Sequence, residues 1–118
     1  MSGIRETAGK SPVTLIMSKA LIEVAKVAEF GAKKYSPHNY RKGMKWSFFT
    51  DAILRHMIKY CTGQKLDFDP KCEKCINKTC KDHSGLSHLA HIAWNSLAIL
   101  EFEVEELGEN DLFKGYEK

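Results

Sequence analysis

A cluster of potential metal ligands is the most specific chemical signal in the sequence. Its members follow the spacing C-x2-C-x4-C-x2-H and are Cys72, Cys75, Cys80 and His83. Thiolate sulfur and imidazole nitrogen suit tetrahedral Zn²⁺, whose binding energy can fold a loop too short to bury a core. We expect a closed, structural zinc site, with a disulfide pair or unrelated thiols as alternatives. Asp82 is an alternative fourth ligand, and Cys61 is expected in the core.

A polar stripe interrupts an otherwise apolar segment further along the chain. Ser84, His88, His91 and Asn95 recur at spacings of four, three and four. These spacings place the four side chains on one face of a helix. Because buried polar groups need partners, the stripe faces either a polar pocket or an internal hydrogen-bond network. Two histidines and an asparagine in register favour a site.

Four acidic side chains are candidate ligands for a metal ion that prefers oxygen ligands. They are Glu29, Asp51, Asp67 and Asp69. Mg²⁺ or Mn²⁺ takes one or two protein carboxylates together with substrate phosphates, so these four acidic residues are enough to bind such an ion. Arg55, four residues after Asp51, either forms an ion pair with it within a helix or binds phosphate, and His56 lies beside it.

Charge is distributed unevenly, although the formal net charge of the 118 residues is only +3. Residues 26–45 contain six basic residues and one acid, whereas residues 101–118 contain seven acids and two lysines. Positive charge around one loop favours an anionic partner there, unless both segments are simply solvated faces. The acidic tail, residues 108–118, is expected to remain solvated.

Three segments with helical periodicity position these residues. The first runs from Ser18, as N-cap, to Lys34, and its stripe of mainly small residues indicates close approach to another helix: Leu21, Ala25, Ala28 and Ala32. The second begins at Ser47, as N-cap, and ends near Thr62 before Gly63, with the stripe Phe49, Ile53, Met57 and Tyr60.

The third segment starts between Ser84 and Ser87 and ends at Leu107, before Gly108. Apolar residues occupy most faces of this helix, and one apolar stripe is formed by Leu89, Ala93, Leu97 and Leu100. A helix of this kind is buried on more than one side. In a single domain spanning residues 1–118, this indicates a small bundle completed by a second subunit.

The resulting fold class is all-α. The cysteine-rich loop, residues 63–83, lies between the second and third helices and has no convincing helix of its own. Val13–Met17 is the only strand signal, and Pro12 weakens it. No apolar run is long enough to cross a membrane and the N-terminal residues are polar, so we expect a cytoplasmic protein with reduced cysteines.

One family resemblance covers roughly residues 20 to 100. The motifs run in order from Glu29-Phe-Gly-Ala-Lys-Lys-Tyr35 and Asn39-Tyr-Arg-Lys-Gly43 through Trp46-Ser47, Arg55-His56, Gly63 and Asp67 to Ser84-Gly-Leu-Ser-His-Leu-Ala-His91 and Asn95. This series resembles the phage dATP/dGTP diphosphohydrolases, relatives of the MazG-like all-α nucleotide pyrophosphohydrolases.

The resemblance implies a homodimer or homotetramer that binds a purine deoxynucleoside triphosphate and, with Mg²⁺ or Mn²⁺, releases a monophosphate and pyrophosphate. It implies phosphate contacts from Lys33, Lys34, Arg41 and Lys42. It implies a nucleoside pocket shaped by Tyr35, Asn39, Tyr40 and Trp46 and lined by His56, His88, His91 and Asn95. The catalytic candidates are Glu29, Asp51, Asp67 and His88.

Two other functions compete with the hydrolase. Gln64 stands where the resembled family carries glutamate, which favours a non-catalytic phage protein that sequesters a cyclic or modified signalling nucleotide of host defence. A small zinc-bearing nucleic-acid binder is the second alternative, because several lysines decorate the cysteine-rich loop. Acids in the same loop nearly neutralise those lysines, which makes nucleic acid an unlikely partner.

Overall fold

The computed structural model describes residues 9–113 and contains four α-helices. They are α1 (Ser18–Lys34), α2 (Trp46–Cys61), α3 (Glu73–Ile76) and α4 (His88–Glu105). Single 3₁₀ turns occupy Val13–Leu15 and Asn39–Lys42. Residues 9–113 contain no strand, only two isolated β-bridges. The all-α prediction is confirmed, and the cysteine-rich loop lies between α2 and α4, although it contains the unpredicted one-turn helix α3.

The helix ends match the sequence prediction to within a few residues. Ser18 is the first residue of α1 rather than its cap. Ser87 caps α4, since its hydroxyl accepts the Leu89 N–H at 3.2 Å. The start of α4 therefore falls at the Ser87 end of the predicted range, whereas Ser84, expected on the helical face, lies in the preceding loop. The helix also ends before Leu107, because Glu106 adopts a left-handed φ of 55°.

The core lies where α2 packs against α4. Its buried members are Trp46, Phe49, Ala98 and Phe102. The Trp46 indole N–H donates to the Leu107 carbonyl at 2.9 Å, which ties the end of α4 to the start of α2. Trp46, which was expected to shape a ligand pocket, therefore packs in the core and does not line the cavity described below.

The segment after α4 folds back on the start of α2. The Asp111 carboxylate accepts the Ser47 backbone N–H at 3.0 Å and the Ser47 hydroxyl at 2.6 Å. This side chain thus supplies the cap that was expected from Ser47 itself, and the hydrogen bonds lower the pKa of Asp111. The prediction of a solvated tail is wrong for Asp111, and residues 114–118 lie outside the described residues.

Helix α1 buries a different face from the one that the sequence predicted. Its buried residues are Val24 and Val27, whereas Leu21 is 48% exposed. The small residues of the predicted stripe, Ala25, Ala28 and Ala32, line a cavity instead of packing closely against a helix. Short side chains at these positions leave room for that cavity.

Large apolar side chains remain exposed on α4. Leu89, Leu97 and Leu100, three members of its predicted stripe, are each 45–49% exposed. The radius of gyration is 17.6 Å, compared with roughly 13–14 Å for a compact monomer of this length.

Cys61, predicted in the core, is exposed at the last turn of α2. Within residues 9–113, no helix is both long and apolar enough to span a bilayer.

Candidate functional site

A cavity of about 820 Å³ lies between α1, α2, α4 and the loops that connect them. Its volume is within the range of small-molecule sites. Ten of the residues that the sequence predicted for substrate binding, catalysis or Mg²⁺ line it: Glu29, Lys34, Tyr35, Asn39, Tyr40, Arg55, His56, Asp67, His91 and Asn95. The structure therefore gathers most of the predicted substrate-binding residues around one space.

Three histidines form a continuous cluster beside this cavity. Nδ1 of His56 on α2 lies 2.8 Å from Nδ1 of His88 on α4, so one ring donates and the other accepts. The His56 ring also stacks on His91, with centroids 4.5 Å apart and planes 10° apart. His56 and His91 line the cavity, whereas His88 is fully buried and does not line it.

Burial keeps these imidazoles neutral. It lowers the pKa of His56 to about 4, and the neighbouring His91 adds to the shift while Asp67 opposes it. The pKa values of His88 and His91 are also lowered, again chiefly by burial. At neutral pH the three rings are therefore mainly uncharged, and each has one nitrogen that acts as an acceptor, which one ring of the His56–His88 pair uses within the pair.

Asp67 is a buried carboxylate held by the loop that precedes α4. Its Oδ2 accepts the Ser84 N–H at 3.0 Å and lies 3.3 Å from the Ser84 hydroxyl. That hydroxyl is also 2.6 Å from Nε2 of His91, and the same nitrogen is 3.7 Å from Oδ2. Among residues 9–113, the Asp67 side-chain contacts all use Oδ2, which leaves Oδ1 as the oxygen available to a ligand.

Exposed cations surround part of the same cavity. Lys34, Arg55 and Lys59 all line it and are accessible to solvent. The sequence reasoning missed Lys59, although its spacing of three and four residues from His56 and Arg55 places it on their face of α2. The exposed basic groups suit the anionic end of a ligand, and the neutral histidines His56 and His91 line the more buried part of the cavity beside the Asp67 carboxylate.

Aromatic side chains form an apolar wall. Tyr40 meets Trp94 edge-on, with centroids 5.8 Å apart, and both line the cavity. The 3₁₀ turn that carries Tyr40 is tied to α4 by Arg41, whose guanidinium lies 3.2 Å from Glu101 and 2.8 Å from Glu105. Arg41 therefore positions the wall, and the phosphate contact expected of it is not supported within one subunit.

Several other predicted site residues lie away from this cavity. Lys33, Lys42, Asp51 and Asp69 do not line it. Asp51 is exposed on α2 and does not form the expected ion pair with Arg55. The Asp69 carboxylate accepts the Lys71 N–H in a local turn. Within the described residues, Glu29, Asp51, Asp67 and Asp69 do not converge on one point.

The cysteine-rich loop does bring its four candidate ligands together. The three sulfur atoms and a ring nitrogen, from Cys72, Cys75, Cys80 and His83, all lie within 4.8 Å of one another. The Sγ atoms of Cys72 and Cys80 are 3.9 Å apart, and Sγ of Cys80 is 3.4 Å from Nδ1 of His83. Zn–S bonds of about 2.3 Å and a Zn–N bond of about 2.0 Å at tetrahedral angles place ligand atoms roughly 3.5–3.8 Å apart. These two separations are close to the values for a tetrahedral zinc site, and the cluster as a whole spans no more than 4.8 Å.

Comparison with known proteins gives one family. A family model described as "dATP/dGTP diphosphohydrolase, N-terminal" matches residues 2–112. The dATP/dGTP diphosphohydrolase of Salmonella phage PMBT28 is 32% identical over 93 residues, which cover 79% of this chain but only 27% of that relative's length. None of the solved structures matches the chain significantly.

Proposed function

The chain belongs to the dATP/dGTP diphosphohydrolase N-terminal family, and from this premise we propose that it is a metal-dependent nucleoside triphosphate pyrophosphohydrolase. We propose purine (deoxy)nucleoside triphosphates as its substrates, with a monophosphate and pyrophosphate as products. One observation carries the proposal: a buried carboxylate, neutral imidazoles and exposed cations line the same 820 Å³ cavity.

The cavity provides different surfaces for the two ends of a nucleotide. The triphosphate lies against Lys34, Arg55 and Lys59, whose charges offset those of the phosphate oxygens. The base lies against the aromatic wall of Tyr40 and Trp94. Asn95 also lines the cavity, and its amide nitrogen donates to the His91 carbonyl at 2.8 Å. That bond fixes the orientation in which the Asn95 carbonyl oxygen is offered to the ligand.

The donor set in the cavity suits Mg²⁺ or Mn²⁺. Asp67 supplies a carboxylate oxygen, and Glu29 and Asp82 line the same space. Substrate phosphates and waters complete the coordination that these ions prefer, so few protein carboxylates are needed. When bound, the ion would neutralise charge on the phosphate chain and orient the phosphates.

A side chain of this protein can accept the proton of the attacking water. His56 is neutral and lines the cavity, so it can accept that proton as the water attacks a phosphorus atom and the bond to the departing pyrophosphate breaks. His88 orients the His56 ring through the hydrogen bond between their Nδ1 atoms. Asp67 favours a positive charge on the imidazoles, as its effect on their pKa values indicates.

Phosphorus NMR tests the activity directly. The purified protein is incubated with Mn²⁺ and each of the common deoxynucleoside and ribonucleoside triphosphates. We expect pyrophosphate and a monophosphate from purine substrates. Intact substrates throughout, with a nucleotide resonance shifted relative to a metal-only control, would contradict hydrolysis and support binding alone.

A binding protein that sequesters a signalling nucleotide is the second candidate. One observation favours it: the candidate acids do not gather at one point among the described residues of one subunit. Binding needs the cationic and aromatic walls, whereas hydrolysis also needs an aligned metal and water. The NMR experiment separates the two functions.

We propose that the working unit is a homodimer or homotetramer. The chain exposes 9484 Å², roughly 3,000 Å² more than a compact monomer of its size, which leaves enough surface on each copy for an obligate interface. The exposed stripe of α4 is the surface we assign to a second copy. Leu97→Glu should shift sedimentation towards the monomer, whereas Lys71→Glu, which places the same charge on an exposed loop, should not; equal behaviour would contradict this surface.

Two further assignments accompany the enzyme. We propose Zn²⁺ as the ion of the Cys72, Cys75, Cys80 and His83 cluster, because three thiolates and an imidazole favour it over hard cations. We propose the host cytoplasm as the location, since nucleoside triphosphates and reduced thiols are both found there.

A further inference from the structure

The cysteine-rich loop begins and ends at the candidate site. At its first end, the Asp67 N–H donates to the Leu86 carbonyl at 2.8 Å, and the Gly85 N–H donates to the Asp67 carbonyl at 2.8 Å. The Asp67 side chain accepts the N–H of Ser84, the residue directly after the ligand His83. The two ends therefore form a clasp, which we define as the hydrogen bonds joining Asp67 to Ser84, Gly85 and Leu86.

Beside the clasp, the His88 N–H donates to the Lys65 carbonyl at 3.0 Å, but little within residues 68–83 holds the rest of the loop in place. Between residues 68 and 83 only Cys75 is buried, while Phe68 is 38% exposed and Ile76 is 62% exposed. The loop's backbone hydrogen bonds are short-range, for example from Cys72 N–H to the Asp69 carbonyl. A segment with so little buried apolar surface lacks the usual source of local stability. The four ligands of the cluster are its remaining cross-link.

We infer that Zn²⁺ bound by Cys72, Cys75, Cys80 and His83 acts as a positioning centre, which fixes the clasp and thereby aims Asp67 and Ser84 at His91. Binding replaces thiol protons by the metal, and its free energy becomes the ordering energy of the loop. His83 is held by the ion and Ser84 follows it immediately, so the Ser84 N–H and hydroxyl are placed against Asp67 and His91. The consequence for catalysis rests on the proposed function, whereas the ordering of the clasp does not.

Metal analysis and amide hydrogen exchange test this inference on the full chain. We expect about one zinc ion per chain, and an absorption spectrum of tetrahedral cobalt–thiolate ligation after exchange with Co²⁺. In Cys72→Ser, or in the wild-type chain after chelation, the amides of Asp67, Ser84 and Gly85 should exchange roughly tenfold faster or more. Amides in the middle of α2 and α4 should keep their protection.

Cys61→Ser is the matched control, because Cys61 is an exposed free thiol outside the cluster. It should retain zinc and the wild-type exchange rates. If the purified chain binds neither zinc nor cobalt, the metal centre is refuted. If zinc is removed and exchange at Ser84 and Gly85 is unchanged, the positioning role is refuted. Exchange is measured without nucleotide, so failure of the proposed hydrolase activity would leave this result intact.

Discussion

The Nδ1 atoms of His56 and His88 lie 2.8 Å apart, across the contact between α2 and α4. Two protonated rings at this distance would each present a donor and a positive charge to the other, which is strongly unfavourable. His91 stacks on the other face of His56. The pair therefore disfavours protonation of both rings at once, and acidification that protonates both should disturb helix packing and the candidate site.

Stability should fall as the solution is acidified from about pH 7.5 to about pH 4.5. The pKa of His56 is about 4 in the folded chain and 6.5 in the unfolded one, so the unfolded chain binds more protons between these values. The stability that the neutral His56 ring contributes is fully present above the pKa of this group in the unfolded chain. It is lost as pH falls towards the pKa of the group in the folded chain. We expect a loss of about 1–2 kcal/mol, discounted because the ring is partly accessible.

Urea unfolding at several pH values measures this effect. His56→Gln should reduce the dependence on pH, whereas His38→Asn, at an exposed position with left-handed φ, should leave it unchanged. An identical pH dependence in His56→Gln and the wild-type chain would show that the cluster does not control acid stability.

Asp67→Asn should lower turnover on the order of 10²-fold or more, because it removes the charge of the buried carboxylate that contacts Ser84 and His91. Nucleotide affinity should change little, since the exposed cations remain. Asp69→Asn is the matched control: this carboxylate accepts a local backbone bond and does not line the cavity. Kinetics and calorimetric binding distinguish the two variants, and equal losses would remove Asp67 from the catalytic group.

The Asp111 cap should contribute to thermal stability. Asp111→Ala removes both acceptors from the start of α2, and we expect Tm to fall by roughly 3–6 °C. Because hydrogen bonds from Ser47 lower the pKa of Asp111, its stabilising effect is lost as pH falls through the folded value. Glu103→Gln, at an exposed position of α4, serves as control. If Ser47→Ala and Asp111→Ala have additive effects on stability, the two residues do not act as a pair.

Gly108 is required by a close approach as well as by its backbone angle. With φ of 71°, an added Cβ would lie 2.5 Å from the Met44 carbonyl oxygen and 2.7 Å from the Phe102 ring. Gly63 has φ of 102° but open space around it. We expect Gly108→Ala to cost about 2–4 kcal/mol and Gly63→Ala only about 1 kcal/mol, the cost of the backbone angle alone. Denaturant titration gives both values, and equal costs would show that the chain relaxes around residue 108.

The sequence by itself determined the three long helices, the candidate ligands of the cysteine cluster and the polar face of α4. These features depend on residues close together along the chain: periodicity places His88, His91 and Asn95 on one face, and short spacings bring three cysteines to one histidine. The motifs that carry the family resemblance also contain nearly half of the residues that line the cavity.

Only the tertiary structure decided which of two plausible faces or partners each residue uses. Trp46 and Arg41 look like ligand contacts in sequence, yet one packs in the core and the other pairs with Glu101 and Glu105 of α4. Asp111 caps a helix that begins 65 residues earlier in the chain. Such choices depend on the free energy of contacts between distant segments, which local spacing does not contain. Burial, and with it the neutral state of the histidines, follows from that same packing.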